Sequence, residues 1–275
     1  MFGIFLLVLL CLLPNPVSAQ AQELHHTTVS WQEIGKGLSF SRLDVIEKGD
    51  VVESLSLVRI DPNYNSFRLF HGKARRMSEW RDLTQAAVLI NGSYYTPNGQ
   101  PCGLVKIDDK LYGPLRNSAM RGMFVAEPRG VSPDLPRATI LDLTAAPVNI
   151  QKLPWTQGLM SFPLLLDSQG RIRVRSSNQS AQRTVICTDR KGNILILHSA
   201  GDYFSLYELA KFLKASPLEI DLALNLDGGS KAQLLIHTSR FTLASPSFLE
   251  QSARELFDAE ASLLPTVIGV FPRED

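Results

Sequence analysis

From Trp31 onward, short apolar runs alternate with turn signals. Leu55-Ser56-Leu57-Val58-Arg59-Ile60 stops at Asp61-Pro62-Asn63, and Ser66-Phe67-Arg68-Leu69-Phe70 stops at His71-Gly72, which predicts strands of a meander. Residues 81–87 fit a short helix leading into Val88-Leu89-Ile90, a buried strand that ends at Asn91-Gly92-Ser93. Residues 104–107 and 110–112 flank Asp108-Asp109 as a hairpin, and the three prolines in 127–136 mark a long surface loop, too short to divide two domains.

The C-terminal half is more regular. Residues 184–188 and 193–197 are joined by Asp189-Arg190-Lys191-Gly192, and that four-residue turn sets Arg183 opposite His198 on one face. Ser205 and Glu208 form a capping box ahead of Leu206, Leu209, Ala210 and Leu213 at helical spacing, and Ser216-Pro217 ends the helix. From Asp221 the chain alternates: Leu222, Leu224 and Leu226 on a buried face, Asp221, Ala223, Asn225 and Asp227 on the other. Gly228 and Gly229 break that strand, and Gln233-Leu234-Leu235-Ile236 and residues 265–271 supply two more. Many strands and few helices predict a single α+β domain with a large mixed, mostly antiparallel sheet.

Composition adds compartment rather than chemistry. The first nineteen residues carry no charged side chain, and the run from Ile4 to Leu13 is about ten residues, short of the roughly twenty a spanning helix needs. Pro14 and Pro16 followed by Val17-Ser18-Ala19 then read as a signal peptide cleaved after Ala19. The expected product is exported, periplasmic or extracellular, with no stable membrane span. It would have a flexible polar terminus at 20–30 and one domain over 31–275. With 28 Lys plus Arg against 27 Asp plus Glu, the net charge of +1 gives no reason to expect nucleic acid as a partner. Cys102 and Cys187 remain after cleavage, either as one disulfide or as two unpaired core residues.

Two predicted strands end in a polar residue followed by glycine, Asn91-Gly92-Ser93 and Asp227-Gly228-Gly229-Ser230. A buried strand fixes the side chain at its tip, and glycines let backbone N–H groups approach a ligand. Together with Tyr94-Tyr95, Pro101, Gly103, the Pro163-Leu164-Leu165-Leu166-Asp167 turn and Gln182-Arg183-Thr184, these segments resemble, in order, the motifs of the phosphodiester glycosidase family. The resemblance is strongest over 86–271.

The resemblance implies hydrolysis of a sugar 1-phosphodiester, part of a glycan or a sugar-phosphate small molecule. Asp227 would stabilise the sugar cation and Arg183 would bind the departing phosphate. Asn91, Gly92, Gly228 and Gly229 would add neutral donors, Ser93 and Ser230 would line the substrate, and His198 or Asp202 would serve as an acid. Asp221 lies roughly 20 Å along the strand from Asp227 at 3.3 Å per residue, too far to act with it. Ser93, Phe162 and Lys231 depart from the family pattern; Lys231 would either contact phosphate or block a sugar pocket. No transition-metal motif, nucleophile elbow or glycine-rich phosphate loop is present, so no cofactor is expected, with a divalent ion shared by Asp227 and a substrate phosphate left open. Two other readings remain at this level: a non-catalytic carbohydrate- or phosphate-binding envelope protein, and a phosphodiesterase that cleaves the P–O bond.

Overall fold

The computed structural model describes residues 24–130, 135–145, 148–256, 258, 260 and 262–274. The signal peptide read at 1–19, the start of the polar segment at 20–23 and part of the proline-rich loop, 131–134, lie outside the described residues. The class is α+β in one domain, as the pattern predicts, and the strands are distributed over three antiparallel sheets. The largest runs in the order His25–His26, Leu38–Glu47, Asp50–Ile60, Ile194–Ser199, Thr184–Asp189, Ile220–Asn225 and Leu164–Leu166, with Gln32–Gly35 beside Leu38–Glu47. A second sheet holds Gly122–Pro128 and Trp155–Ser161 at its centre, and a third holds Val88–Asn91 between Leu234–His237 and Leu264–Pro272.

Several expectations change with the pairing. The strands Asp50–Ile60 and Asn65–Arg75 are not hairpin partners: the first pairs with Ile194–Ser199, the second with Leu264–Pro272 in another sheet. Asn65 makes the corner. Its fully buried amide donates to the carbonyls of Lys36, Gly37 and Asp61, turning the chain out of the first sheet. The predicted helix at 81–87 lies earlier, at Met77–Thr84, and ends where Gln85 turns left-handed with φ 57°. Residues 24–30 are not a loose tail, since His25 and His26 pair with Ile46 and Val45 and Leu24 and Val29 pack beneath the first sheet. Glu127 and Pro128 close the Gly122–Pro128 strand rather than opening the loop. Cys102 and Cys187 are both free thiols, in separate hydrophobic clusters.

All three sheets turn one face to a common core. Phe67, Val88 and Ile268 from one, Phe124, Ala126 and Leu159 from another, and Ile186, Ile196 and Leu224 from the largest meet there. Each opposite face has its own cover. The Leu206–Ala215 helix, with the predicted Ser205–Glu208 capping box, seals the large sheet through Leu209, Ala210 and Leu213. Met77 and Trp80 cap the third sheet. This double cover explains why Thr184–Asp189 and Ile194–Ser199 are buried at every residue, and why Ala223 is as buried as its neighbours Leu222 and Leu224. The face of Ile220–Asn225 expected to carry exposed polar groups is an interior face too.

Phe124 sits fully buried with its ring edge-on to Phe67, 5.3 Å between centroids, at the junction of two sheets. Phe124→Ala is expected to cost about 3–5 kcal/mol in urea unfolding, whereas Leu249→Ala, at an 84% exposed position, should change stability by less than about 0.5 kcal/mol.

Candidate active site

The site is set by strand register. Val185 faces Asn225 across the Thr184–Asp189 and Ile220–Asn225 pair, and the Leu226 N–H to Thr184 carbonyl bond carries the ladder onward. Regular pairing ends there: the Gly229 N–H, not that of Gly228, bonds the Gln182 carbonyl, so the ladder slips at the glycines, and Arg183 Nη1 lies close to Gly228, the residue after Asp227. The hairpin register differs from the one expected. Thr184, not Arg183, pairs with His198, because the turn is one residue longer than the four read from sequence: Thr188 pairs with Ile194. A shift of one reverses the face. His198 therefore points into the common core with Ile194 and Ile196, fully buried, its Nδ1 3.4 Å from the Thr184 hydroxyl, on the opposite side from Arg183 and Asp227.

Three groups meet on the Asp227 side. Asp227 is half-buried just past the strand tip, and desolvation pushes its carboxyl up to about 6 against the opposing pull of the Gly228 N–H and the Lys231 charge. Arg183 is buried; its Nε donates to the Phe204 carbonyl and its Nη2 to the Gln179 carbonyl. Its Nη1 lies over Gly228, and among the described residues no carboxylate forms an ion pair with it. Burial lowers its basicity. Tyr94 senses both: burial first, then the Asp227 charge, raise its phenol to about 12, while Arg183 and the Asn225 amide pull the other way. A buried cation without a buried anion costs several kcal/mol unless a ligand supplies the charge, so the arrangement suits an anionic ligand beside a carboxylate.

Residues 84–271 match the sequence profile of the phosphodiester glycosidases. The chain belongs to that family. Its solved relatives show the same fold at low identity. The catalytic domain of zebrafish N-acetylglucosamine-1-phosphodiester alpha-N-acetylglucosaminidase, auto-inhibited by its pro-peptide, is 18% identical with a TM-score of 0.59, covering 91% of this chain and 88% of that one. A hypothetical protein from Synechocystis is 18% identical with a TM-score of 0.58; the match covers 90% of this chain and 64% of that protein. A Burkholderia pseudomallei protein described as exported is 9% identical with a TM-score of 0.56, covering 91% and 97%. No curated protein matches the chain by sequence.

Within this phosphodiester glycosidase fold, most of the expected neutral donors are already engaged. Asn91 is fully buried: its amide donates to the Gly92 and Asp227 carbonyls and its oxygen accepts the Gln233 N–H, so it holds the two motif loops together rather than facing a ligand. The N–H groups of Gly92, Gly228 and Gly229 bond the Thr266 carbonyl, the Asp227 carboxylate and the Gln182 carbonyl. These glycines answer packing instead. A Cβ on Gly92 would stand 2.9 Å from the Thr266 carbonyl oxygen, one on Gly228 2.9 Å from that of Gln182, and Gly229 has φ 60°. Ser93 is buried and donates to the Ser161 hydroxyl, which in turn donates to the Asn225 carbonyl. Ser230 is exposed beside the turn, and Asp202 is exposed on the 200–203 loop with no bond to Asp227 or Arg183 among the described residues.

Lys231 is tied to a neighbouring segment. Its ammonium donates to the carbonyls of Glu260 and Leu263 and stands 5.8 Å from the Tyr95 ring. A cleft of about 590 Å³ bordered by Tyr95, Lys231, Lys73 and His71 adjoins this turn, while a larger concavity, about 1040 Å³ between Arg68, Glu127 and Arg273, touches none of the motif residues. Charge arrangement, not volume, marks the site. Tyr94 and Asn225 adjoin it and carried no assigned role in the sequence, where their signal was a place inside the family motifs, and Phe162, noted there as a departure from the family pattern, packs against Tyr94.

Because folding raises the Asp227 carboxyl from 3.8 to about 6, the folded state binds its proton more tightly. Its favourable contribution is complete below about pH 4 and lost as pH rises through about 6. Asp227→Asn should therefore stabilise the protein by roughly 2 to 3 kcal/mol at pH 8, raising Tm by roughly 5–10 °C. Melts across the pH range should show the gain vanish below about pH 4; an equal gain at every pH would contradict this electrostatic account.

Proposed function

We propose that this chain is an exported hydrolase that breaks the bond between the anomeric carbon and the phosphate oxygen of a sugar 1-phosphodiester. The observation that carries the reading is a buried Arg183, without a carboxylate partner among the described residues, whose Nη1 lies close to Gly228, the residue after Asp227. A phosphate bound at Arg183 Nη1 places the attached sugar beside the Asp227 carboxylate. As the C–O bond breaks, its electron pair leaves with the phosphate, where the guanidinium meets the growing charge, and the carboxylate faces the oxocarbenium-like carbon. Water then adds to the anomeric carbon and gives up a proton, so the products are a free sugar and a phosphate monoester. A phosphate monoester departs readily without a strong acid, which fits a site in which His198 lies on the opposite face. The zebrafish relative is named for this bond class; the sugar here is a separate question. Export rests on the apolar N-terminal run, and no helix among the described residues is long and apolar enough to cross a membrane.

The test is hydrolysis of an N-acetylglucosamine 1-phosphodiester in ¹⁸O-water by the purified chain. Label is expected in the sugar; label in the phosphate would mean P–O cleavage, and no turnover with intact binding would mean a binding protein. Arg183→Ala should lower kcat/KM by about 10²–10³, Asp227→Asn should lower kcat by at least about 10², and kcat should rise with pH up to about 6 and then level off.

A further inference from the structure

Tyr94 lies in the first family motif, and its surroundings leave it one role. Its hydroxyl oxygen is 2.8 Å from the side-chain nitrogen of Asn225, a fully buried residue. The same nitrogen is 2.6 Å from the Leu226 carbonyl and 3.3 Å from the Phe162 carbonyl. Two carbonyls on that side admit only the NH₂ end of the amide, so the orientation of Asn225 is fixed by its neighbours. An amide nitrogen donates and cannot accept. Tyr94 must therefore receive this bond, and its own proton points elsewhere.

No hydroxyl, carboxylate or carbonyl among the described residues takes that proton. The ring packs against Phe162 at 4.5 Å between centroids and a 30° tilt. Phe162 thus forms a wall on one side of the tyrosine. The hydroxyl is bonded to Asn225, two residues before Asp227, on the partly exposed side of the ring, and the Asp227 and Arg183 charges both act on the phenol, so its proton can meet a ligand there.

We propose that Tyr94 is a further catalytic residue of this site, a hydrogen-bond donor to the phosphate of the substrate, held in that orientation by Asn225 and Phe162. It keeps its proton throughout: the hydroxyl shares it with a phosphate oxygen and strengthens the bond as charge collects there. The phenol, raised to about 12, keeps its proton at neutral pH, where Asp227 is ionised. Tyr94 and Arg183 would then approach one phosphate together, the first with a neutral donor and the second with charge. This rests on the phosphodiester reading for its catalytic part but makes a separate statement about phosphate binding.

The experiment measures inorganic phosphate binding and turnover side by side. In the wild-type chain carrying ¹³Cζ-labelled tyrosine, phosphate should shift one resonance, and that resonance should be absent in Tyr94→Phe. Tyr94→Phe should weaken phosphate affinity about fivefold to tenfold, as expected for one lost neutral hydrogen bond, and lower kcat about 10²-fold with a smaller change in KM. Thermal stability of the variant is checked in parallel, and the wild-type titration does not depend on how the variant folds. A phosphate-induced shift at Tyr94 without turnover on any sugar phosphodiester would uphold the donor and overturn the hydrolase reading. Turnover with no shift at Tyr94, or with Tyr94→Phe as active as the wild type, would overturn the donor.

Discussion

The strand Ile220–Asn225 is the element on which the site depends, because it has no freedom to slip. Leu222, Leu224 and Leu226 are seated in the core that three sheets share, and Ala223 is pressed against the layer beneath the Leu206–Ala215 helix. A one-residue shift would drive Asp221 and Asn225 into that core and bring three leucines out of it, each worth roughly 1.5–3 kcal/mol of burial. The register of the strand is therefore held by apolar packing, and hydrogen bonds from Asn91 and Ser161 fasten its tip. Arg183 Nη1 comes close to Gly228, next to Asp227, as a consequence of that packing, without an ion pair between the two charges.

The same economy governs the glycine motifs. Glycines at strand ends are readily interpreted as a backbone cradle for phosphate, yet each of these N–H groups is already bonded inside the protein. What the missing side chains allow is close approach: Gly92 against Thr266, and Gly228 against Gln182 and Arg183. Asn91 and Ser93 complete the connection by tying the first motif to the Asp227 turn and, through Ser161, to Asn225. The motif loops thus support one another, and the groups left to meet a ligand are few and charged or phenolic.

Electrostatics follows from this support. Asp227 and Arg183 are each partly removed from water without being paired to one another, so burial raises the carboxyl and lowers the basicity of the guanidinium. Such an arrangement is unfavourable in isolation and becomes favourable when a ligand brings negative charge to one side and a developing positive charge to the other. Lys231 tempers it from the rim while its ammonium fastens the 260–263 segment. Phe162 and Lys231, the two departures that differ most in size from the family pattern, act on position: one backs Tyr94, the other anchors a neighbouring segment.

Local chemistry was legible in the sequence wherever a short stretch determines its own conformation. The capping box at Ser205 and Glu208, the helix stop at Ser216-Pro217, the hairpin at 105–112, the alternation into Asp227 and the family motifs all depend on neighbours a few residues apart. Pairing between distant strands decided the rest. One extra turn residue between Thr188 and Ile194 moved His198 to the opposite face from Arg183. The corner at Asn65 sent two adjacent strands into different sheets. Layers above and below turned an apparently half-exposed strand into an interior one. Side-chain period follows from the backbone and can be read along the chain, but which face is covered, and which donor remains unbonded, depends on what the tertiary fold brings alongside.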